Sequence, residues 1–276
     1  QPSARNSKNP RLRRGFRIGH AMTGSNEFFF TVPDGSDKGT VFRLTAPDQK
    51  VLQLPLPREA LPGDQIFLEK KDGNWTFKNV MRPGATLKTP EMVDQELHGP
   101  DVIKVRFETT KGPLILRLVP HWSPNGVRRL LEMVDDGFFK DVCIYRGIPK
   151  FLMQFGVVKD EKRKCGYDPI MDDPLCGVPY LEGMVGFAAS GPNTRTQQLC
   201  LFLGAAPFLG KNSMETPLGR VCSESLSTLG KIFLPGDIPQ CGGVGPDPMT
   251  LADLGNAYIS KSFPQCDFIT GASRAP

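Results

Sequence analysis

Residues 143–156, with the sequence CIYRGIPKFLMQFG, combine apolar strand-forming side chains with a few polar ones. Arg146, Phe151 and Gln154 fall within nine positions of this segment, between apolar residues of the types found in β-strands. If the three side chains face one surface, they provide an apolar floor, a fixed cation and an amide. The segment therefore predicts a β surface that holds an extended peptide.

The composition favours many short strands over long helices. The 276 residues include 29 Gly and 26 Pro, which interrupt the chain often, while 39% apolar residues allow a sizeable core. No apolar run approaches the roughly eighteen residues of a membrane-spanning helix. We therefore expect a mainly β protein without a transmembrane segment.

The net charge of +5 is concentrated at the start of the chain. Residues 1–19 hold six Lys or Arg and no acidic residue, so residues 20–276 carry about −1. We expect this basic arm to contact an acidic protein, a lipid surface or RNA. A sequence-specific nucleic-acid reader would need a basic face with interleaved aromatics. The acid-free, Arg-rich start also has the composition of a transit remnant, which predicts import into an organelle, with a plastid favoured over the cytoplasm.

The seven cysteines all lie in the second half, none forms a CxxC pair, and only three histidines accompany them. We therefore expect no metal site with closely paired ligands. Cys143 and Cys200 lie in apolar runs and are predicted to be buried free thiols. Cys165 and Cys176 bracket a polar loop and are able to form a disulfide in an oxidising compartment, so the redox compartment stays open.

An internal repeat with an offset of 24 residues follows the basic start. Residues 30–33 and 39–44 (FTVP, GTVFRL) correspond to residues 54–57 and 63–68 (LPLP, GDQIFL). In each copy a proline lies at the end of a short strand, and a glycine precedes a second strand with alternating apolar side chains. We therefore predict a small β module over residues 27–80.

Three consecutive phenylalanines at 28–30 are unusual on a solvated strand. They are either core alone, or core on one face and a docking surface on the other. The module resembles the paired VPxG and PGxxF β repeats of many algal and protist proteins, a resemblance that implies no catalytic activity. Residues 1–26 lack periodicity and are predicted to be an extended arm, and residues 81–100, which contain several Pro and Gly, are predicted to be a linker.

The pattern becomes regular over residues 101–276, which we predict to be a single domain. Two strands at 102–107 and 114–118 form a hairpin. Ser123 as N-cap and Pro124 begin a helix that ends at Gly137. Further strands are expected at 184–189, 199–203 and 268–270, with a second helix near 225–230.

Three blocks of this region carry a family resemblance. They are TKGPL (110–114) with the helix that follows, RGIPKFLMQ (146–154), and GMVGFA with GPNT (183–194). In order and spacing, residues 101–273 resemble a cyclophilin, a barrel-shaped peptidyl-prolyl isomerase. The resemblance implies a closed antiparallel β-barrel with two capping helices, which binds proline-containing peptide segments and needs neither metal nor cofactor.

The same resemblance assigns the site residues. Arg146 is the catalytic cation, which stabilises the lone pair of the prolyl nitrogen while the peptide bond twists. Phe151 and Leu152 form the pocket floor, and Gln154 and Gln198 are amides that hold the peptide. The remaining positions of the site are Ala188, Ala189, Cys200, Phe208 and Asn212.

Several of these positions depart from the family pattern. Cys200 stands where a pocket phenylalanine is usual, Asn212 stands where a histidine is common, and the tryptophan expected near Phe208 is missing. Removing an aromatic wall weakens a proline pocket, because packing is lost. Two functions follow. Either the chain is mainly an interaction subunit of a larger protein assembly with weak or lost activity, or it is an active isomerase with altered substrate preference.

Overall fold

The computed structural model describes residues 21–24, 26–33, 35–36, 40–57, 60–81, 87–160 and 166–275. The chain divides into two compact units, residues 1–83 and 84–276. Residues 1–20, which include the whole basic arm of residues 1–19, lie outside the described residues, as does Cys165. No helix of the described part is long and apolar enough to cross a membrane.

The first unit is a small all-β module. One sheet has the strand order β1-β2-β5-β6, and β3 pairs with β4 in a separate hairpin. The strands are β1 (Ala21–Gly24), β2 (Glu27–Thr31), β3 (Val41–Thr45), β4 (Val51–Pro55), β5 (Gln65–Lys71) and β6 (Asn74–Met81).

The prediction of an extended arm over residues 1–26 is wrong at β1, which pairs with β2 in the register Ala21↔Phe29. Backbone pairing along a sheet edge needs no apolar periodicity in the added strand, so the sequence gives no signal for it. The strand pairing also clarifies the repeat. Because β2 pairs with β5 and β3 with β4, the strands of the two copies pair with each other.

The three phenylalanines of β2 alternate between the two faces of the sheet, as strand geometry requires. Phe28 and Phe30 are buried in the core of the first unit. Phe29 is half-buried and stacks on Phe67 of β5, with ring centroids 5.0 Å apart. The run is therefore core on one face and a partly exposed aromatic pair on the other.

The second unit begins with a helix inside the predicted linker 81–100, so that prediction is wrong for residues 90–97. Helix α1 (Pro90–Leu97) begins after Thr89, whose hydroxyl accepts a hydrogen bond from the Met92 amide at 3.4 Å. Pro90 occupies the first helical turn, where its missing N–H costs little. Val93 and Leu97, four residues apart, form the buried stripe.

The predicted closed antiparallel barrel is confirmed. Eight strands follow one another around it in the order β10-β12-β11-β13-β8-β7-β14-β9. The strands are β7 (Ile103–Thr109), β8 (Gly112–Leu118), β9 (Val142–Ile148), β10 (Leu152–Phe155), β11 (Met184–Phe187), β12 (Leu199–Phe202), β13 (Gly219–Val221) and β14 (Phe268–Ala275).

The barrel encloses an apolar core. Phe107, Phe139 and Phe155 meet inside it, with ring centroids 4.7 to 6.4 Å apart. Both predicted helices are present, as α2 (Pro124–Asp135) and α3 (Leu226–Leu229). The expectation of two helices is nevertheless incomplete, because α4 (Pro248–Leu254) and α5 (Asn256–Ser262) follow them.

The start of α2 differs from the prediction. Ser123 occupies the N-cap position, but its side chain accepts no capping hydrogen bond and donates to Asp173 instead. The Asp173 carboxylate accepts from the backbone amides of Asn125 at 2.8 Å and Gly126 at 3.1 Å. A distant carboxylate therefore satisfies the free amides of the first turn and complements the helix dipole.

Arg195 holds this arrangement together. Its fully buried guanidinium donates to Asp172 at 3.1 Å, to Asp173 at 3.0 Å and to the Met171 carbonyl at 2.6 Å. The network joins residues 171–173 to the segment around Arg195, which leads directly into β12.

Candidate functional site

A row of cross-strand partners runs across four barrel strands on the outer face. Arg146 of β9 pairs with Gln154 of β10, Gln154 pairs with Cys200 of β12, and Cys200 pairs with Gly186 of β11. The neighbours of these residues along each strand, such as Met153 of β10, point into the barrel core. Cross-strand partners lie about 4.5–5.5 Å apart at Cβ, so the row presents its side chains together.

An irregularity in β9 lets two consecutive side chains serve this face. The register shifts between Gln154, which pairs with Arg146, and Phe155, which pairs with Ile144, so Tyr145 is an extra residue. Such a bulge redirects a side chain that strict alternation would turn inward. Tyr145 and Arg146 are therefore both available to the outer face.

The Arg146 guanidinium is held on several sides. Its Nη1 donates to Oε1 of Gln154 at 3.0 Å, and its Nε donates to Oδ1 of Asp237 at 2.6 Å. Its Nη2 lies 3.9 Å from the Cys241 sulfur. The pairing with Gln154 follows from neighbouring strands, whereas the sequence offered no signal for the Asp237 ion pair.

The backbone fixes Asp237 beside Arg146. Gly147 and Gly236 exchange two backbone hydrogen bonds of 3.0 and 3.1 Å, which dock the segment after Leu234 on β9. A side chain at Gly147 would not fit, because its Cβ would lie 2.8 Å from the Leu234 Cα. The Gly245 amide donates to the Asp237 carbonyl at 2.8 Å, so the acidic residue is built into the site.

The two predicted amides are linked. Gln154 donates from Nε2 to Oε1 of Gln198 at 3.1 Å, and the Tyr145 hydroxyl donates to the same oxygen at 2.8 Å. Burial raises the pKa of Tyr145, so its hydroxyl stays a neutral donor. Two donors on Oε1 orient the Gln198 amide, which leaves its nitrogen to donate to a peptide carbonyl.

A cavity of about 410 Å³ lies over the row. Predicted site residues line it, namely Arg146, Phe151, Leu152, Gln154, Ala188, Ala189, Gln198 and Cys200. The other lining residues were not among the predicted site residues; they are Tyr180, Phe187, Ser190, Thr194, Thr196, Phe202, Leu209, Met214 and Glu215.

Two predicted site residues do not line this cavity. Phe208 is 58% exposed and instead packs outside, on Phe151, at a centroid distance of 5.7 Å. Asn212 precedes the short helical turn Ser213–Glu215, and that turn brings Met214 and Glu215 to the cavity in its place. The local path of the backbone decides which residues of this segment line the cavity, and the amino-acid composition does not predict that path.

Tyr180 occupies part of the space beside Cys200. Its ring lies 4.4 Å from that of Phe202, and it is 3% exposed. The wall that a small residue at 200 leaves open is therefore partly rebuilt by a tyrosine twenty positions earlier. The cavity is reshaped but still present.

The cysteines are free thiols wherever the structure describes them. Cys143 and Cys200 are buried, as predicted, while Cys176 carries a free thiol and its expected disulfide partner Cys165 lies outside the described residues. Among the described residues, no three His, Cys, Asp or Glu side chains are grouped as metal ligands.

We expect iodoacetamide to alkylate Cys241 at least about tenfold faster than Cys200 in the native protein. Cys241 is exposed, whereas burial raises the pKa of Cys200 to about 12 and that of Cys176 to about 11. Peptide mapping by mass spectrometry after timed quenching measures both rates. A Cys200 that reacts as fast as Cys241 contradicts the burial of the pocket wall.

The second unit is similar in sequence to known proteins. Residues 104–234 match the family model of the cyclophilin type peptidyl-prolyl cis-trans isomerases. A probable peptidyl-prolyl cis-trans isomerase of Brucella suis is 30% identical over 124 residues, which cover 41% of this chain and 62% of the relative. A peptidyl-prolyl cis-trans isomerase-like 3 protein of Neurospora crassa is 29% identical over 142 residues, covering 47% of this chain and 83% of that protein.

The matches leave parts of both chains uncovered. This chain spans 62% of the length of the Brucella relatives. A solved cyclophilin type isomerase of Cryptosporidium parvum superposes with a TM-score of 0.46 at 18% identity, covering 63% of this chain and 98% of that one. The family match contains every predicted site residue and ends at residue 234, before Asp237 and before β14, the strand that closes the barrel.

Proposed function

Because residues 104–234 match the cyclophilin family model, we propose that the second unit is a divergent cyclophilin-like domain whose outer face binds proline-containing segments of other proteins. The chain acts mainly as an interaction subunit of a larger assembly, and its prolyl isomerase activity is weak. Binding needs apolar surface and oriented hydrogen-bonding groups, whereas catalysis also needs a cation whose charge is not compensated. The residues around Arg146 meet the first requirement better than the second.

The floor and the amides support binding. Phe151 and Leu152 line the cavity with apolar surface suited to a proline ring, while Gln154 and Gln198 offer oriented amides to an extended backbone. A proline segment loses little conformational entropy on binding, because its backbone is already restricted. A shallow apolar site with a few polar contacts is therefore enough.

Catalysis requires more from the arginine. Rotation about an X–Pro bond has a barrier of roughly 18–20 kcal/mol, because the C–N resonance must be broken. A cation near the prolyl nitrogen lowers that barrier by stabilising the lone pair that localises on it. The cation is most effective when no nearby anion compensates its charge.

The ion pair between Arg146 and Asp237 is the observation that carries the proposal. Its 2.6 Å contact compensates the charge of the guanidinium at a site where both side chains are mostly buried. Arg146 keeps its place and its hydrogen-bonding edge, so it still binds a peptide carbonyl. Its power to stabilise a developing negative charge is reduced.

The rest of the chain supports a role in an assembly. The basic arm, the β-repeat unit and the exposed side of the Phe29–Phe67 pair are features that catalysis on a peptide does not need. We expect them to contact other protein subunits, with the arm on an acidic protein, lipid or RNA surface.

An active isomerase with altered substrate preference is the second candidate. It is favoured by the bond between Arg146 and Gln154, which holds the guanidinium edge toward the cavity. In this alternative the reshaped wall around Cys200 changes which peptides are turned over.

We expect Ala-Pro peptides to bind at micromolar to millimolar Kd and to isomerise more than about tenfold more slowly than with an ordinary cyclophilin. Exchange NMR spectroscopy on the full chain measures binding and isomerisation in one sample. Arg146→Ala should weaken binding, and Arg128→Ala, on the exposed side of α2, is the matched control. A rate within tenfold of an ordinary cyclophilin that Arg146→Ala abolishes would establish the active alternative.

A further inference from the structure

Tyr180 is a lining residue of the cavity, and its side chain ends in a polar hydroxyl. It lines the cavity together with Leu152, Phe202 and Leu209. Only 3% of the residue is exposed, so its hydroxyl has little contact with bulk water. A buried hydroxyl of this kind normally has a hydrogen-bonding partner.

The hydroxyl lies at the end of the row that starts at Arg146. A Cβ placed on Gly186 would come within 2.1 Å of the Tyr180 oxygen, so the hydroxyl occupies the space of a side chain at that position. Gly186 pairs with Cys200, which lines the cavity. Two small residues in sequence across the sheet therefore make room for the hydroxyl beside the pocket.

Among the residues that the structure describes, none exchanges a hydrogen bond with the Tyr180 hydroxyl. Burial raises the pKa of Tyr180 well above its ordinary value, so the group is a neutral donor at any physiological pH. A buried donor without a partner costs free energy, which a ligand recovers if it carries an acceptor at the right place.

The shape of a proline ring decides where that acceptor must be. The nitrogen and Cα of proline belong to the backbone, so Cγ is the ring atom farthest from it and reaches deepest into a pocket. An unmodified ring places only C–H groups at the floor. A hydroxyl on Cγ places an oxygen there.

We propose that this pocket is specific for 4-hydroxyproline, whose ring hydroxyl accepts a hydrogen bond from Tyr180. The inference rests on the proposed function and names its substrate class: peptide segments in which the proline has been hydroxylated. Tyr180 is then a specificity-determining residue, while Arg146, Gln154 and Gln198 hold the backbone of either ligand.

The test crosses two peptides with two proteins. Matched peptides containing proline or 4-hydroxyproline, in both 4-epimers, are titrated against the full chain and against Tyr180→Phe by NMR spectroscopy or calorimetry. With the unaltered chain, we expect one hydroxyproline epimer to bind about threefold to tenfold more tightly than proline, as one net hydrogen bond allows. With Tyr180→Phe the two ligands should bind equally.

A peptide with 4-fluoroproline separates the hydrogen bond from ring electronics. Fluorine withdraws electrons much as the hydroxyl does but accepts hydrogen bonds poorly, so this peptide should bind like proline. The comparison uses only the unaltered chain, which keeps the test valid if Tyr180→Phe unfolds.

The outcomes separate this inference from the proposed function. If the proline peptide binds but neither hydroxyproline epimer binds more tightly, the inference is wrong and the proposed function stands; the Tyr180 hydroxyl then holds only a water molecule. A preference that persists in Tyr180→Phe also overturns it. If neither peptide causes shifts at the cavity, the proposed function has failed as well.

Discussion

Replacing Arg195 by methionine is expected to lower the free energy of unfolding by about 3–5 kcal/mol. The guanidinium has no solvent exposure and bonds Asp172, Asp173 and the Met171 carbonyl. Its removal leaves two buried carboxylates without their cation. Because Asp173 also caps α2, the loss reaches the barrel core. Urea unfolding followed by circular dichroism measures the change.

Arg274→Met is the matched control. Arg274 also makes two hydrogen bonds to a carboxylate, that of Asp135, but both side chains are more than half exposed. Water screens such a pair, so we expect a loss of no more than about 1 kcal/mol. Equal losses for the two variants contradict a stabilising role for the buried network.

The loss of unfolding free energy in Arg195→Met should depend on pH. Burial raises the pKa of Asp172 above its ordinary value, and Arg195 opposes that rise. Without Arg195 the folded-state pKa increases further. A carboxyl with a raised folded-state pKa is most stabilising below its unfolded pKa, and this contribution is lost as pH rises through the folded value. The difference in free energy of unfolding between Arg195→Met and the unaltered chain should therefore be largest near neutral pH and become smaller toward pH 4.

Asp237→Asn is expected to raise kcat/KM for proline peptides by about tenfold. Asparagine keeps an oxygen that accepts from Nε of Arg146 but removes the negative charge. Two full charges roughly 6 Å apart interact by about 3 kcal/mol at an effective dielectric constant near 20. The prolyl nitrogen gains only part of a charge and the Asp237 side chain is 29% exposed, so about half of that remains. A barrier lower by about 1.4 kcal/mol gives the tenfold increase.

Asp247→Asn is the control for this experiment. The Asp247 carboxylate lies further along the same segment and bonds Gln240, Thr250 and the Met249 amide, and none of these three groups bonds Arg146. Its replacement should leave kcat/KM unchanged. If Asp237→Asn lowers kcat at constant KM, Asp237 positions Arg146 for catalysis, and the proposal of weak activity loses its main support.

Most strands and helices of the barrel could be predicted because their patterns are local, whereas the closed barrel was expected from the family resemblance. The hairpin at 102–118, the helix after Ser123 and the strands around 146–154 each carry alternating or helical patterns that survive in the structure. The misses have a common physical cause. Helix α1 lies among prolines that suggested a linker, and β1 is a short edge strand that pairs with β2. Neither depends on an apolar pattern that is long enough to recognise.

The candidate site divides in the same way. The sequence by itself determined that Arg146 and Gln154 lie eight positions apart in one strand-forming stretch, and the observed register pairs them across β9 and β10. Only the tertiary structure decided that Asp237, 91 residues beyond Arg146, compensates its charge and that Tyr180 fills the space over Gly186. Strand periodicity reports which face a side chain occupies. It does not report which distant segment covers that face, because this depends on how the loops close and not on a local sequence pattern.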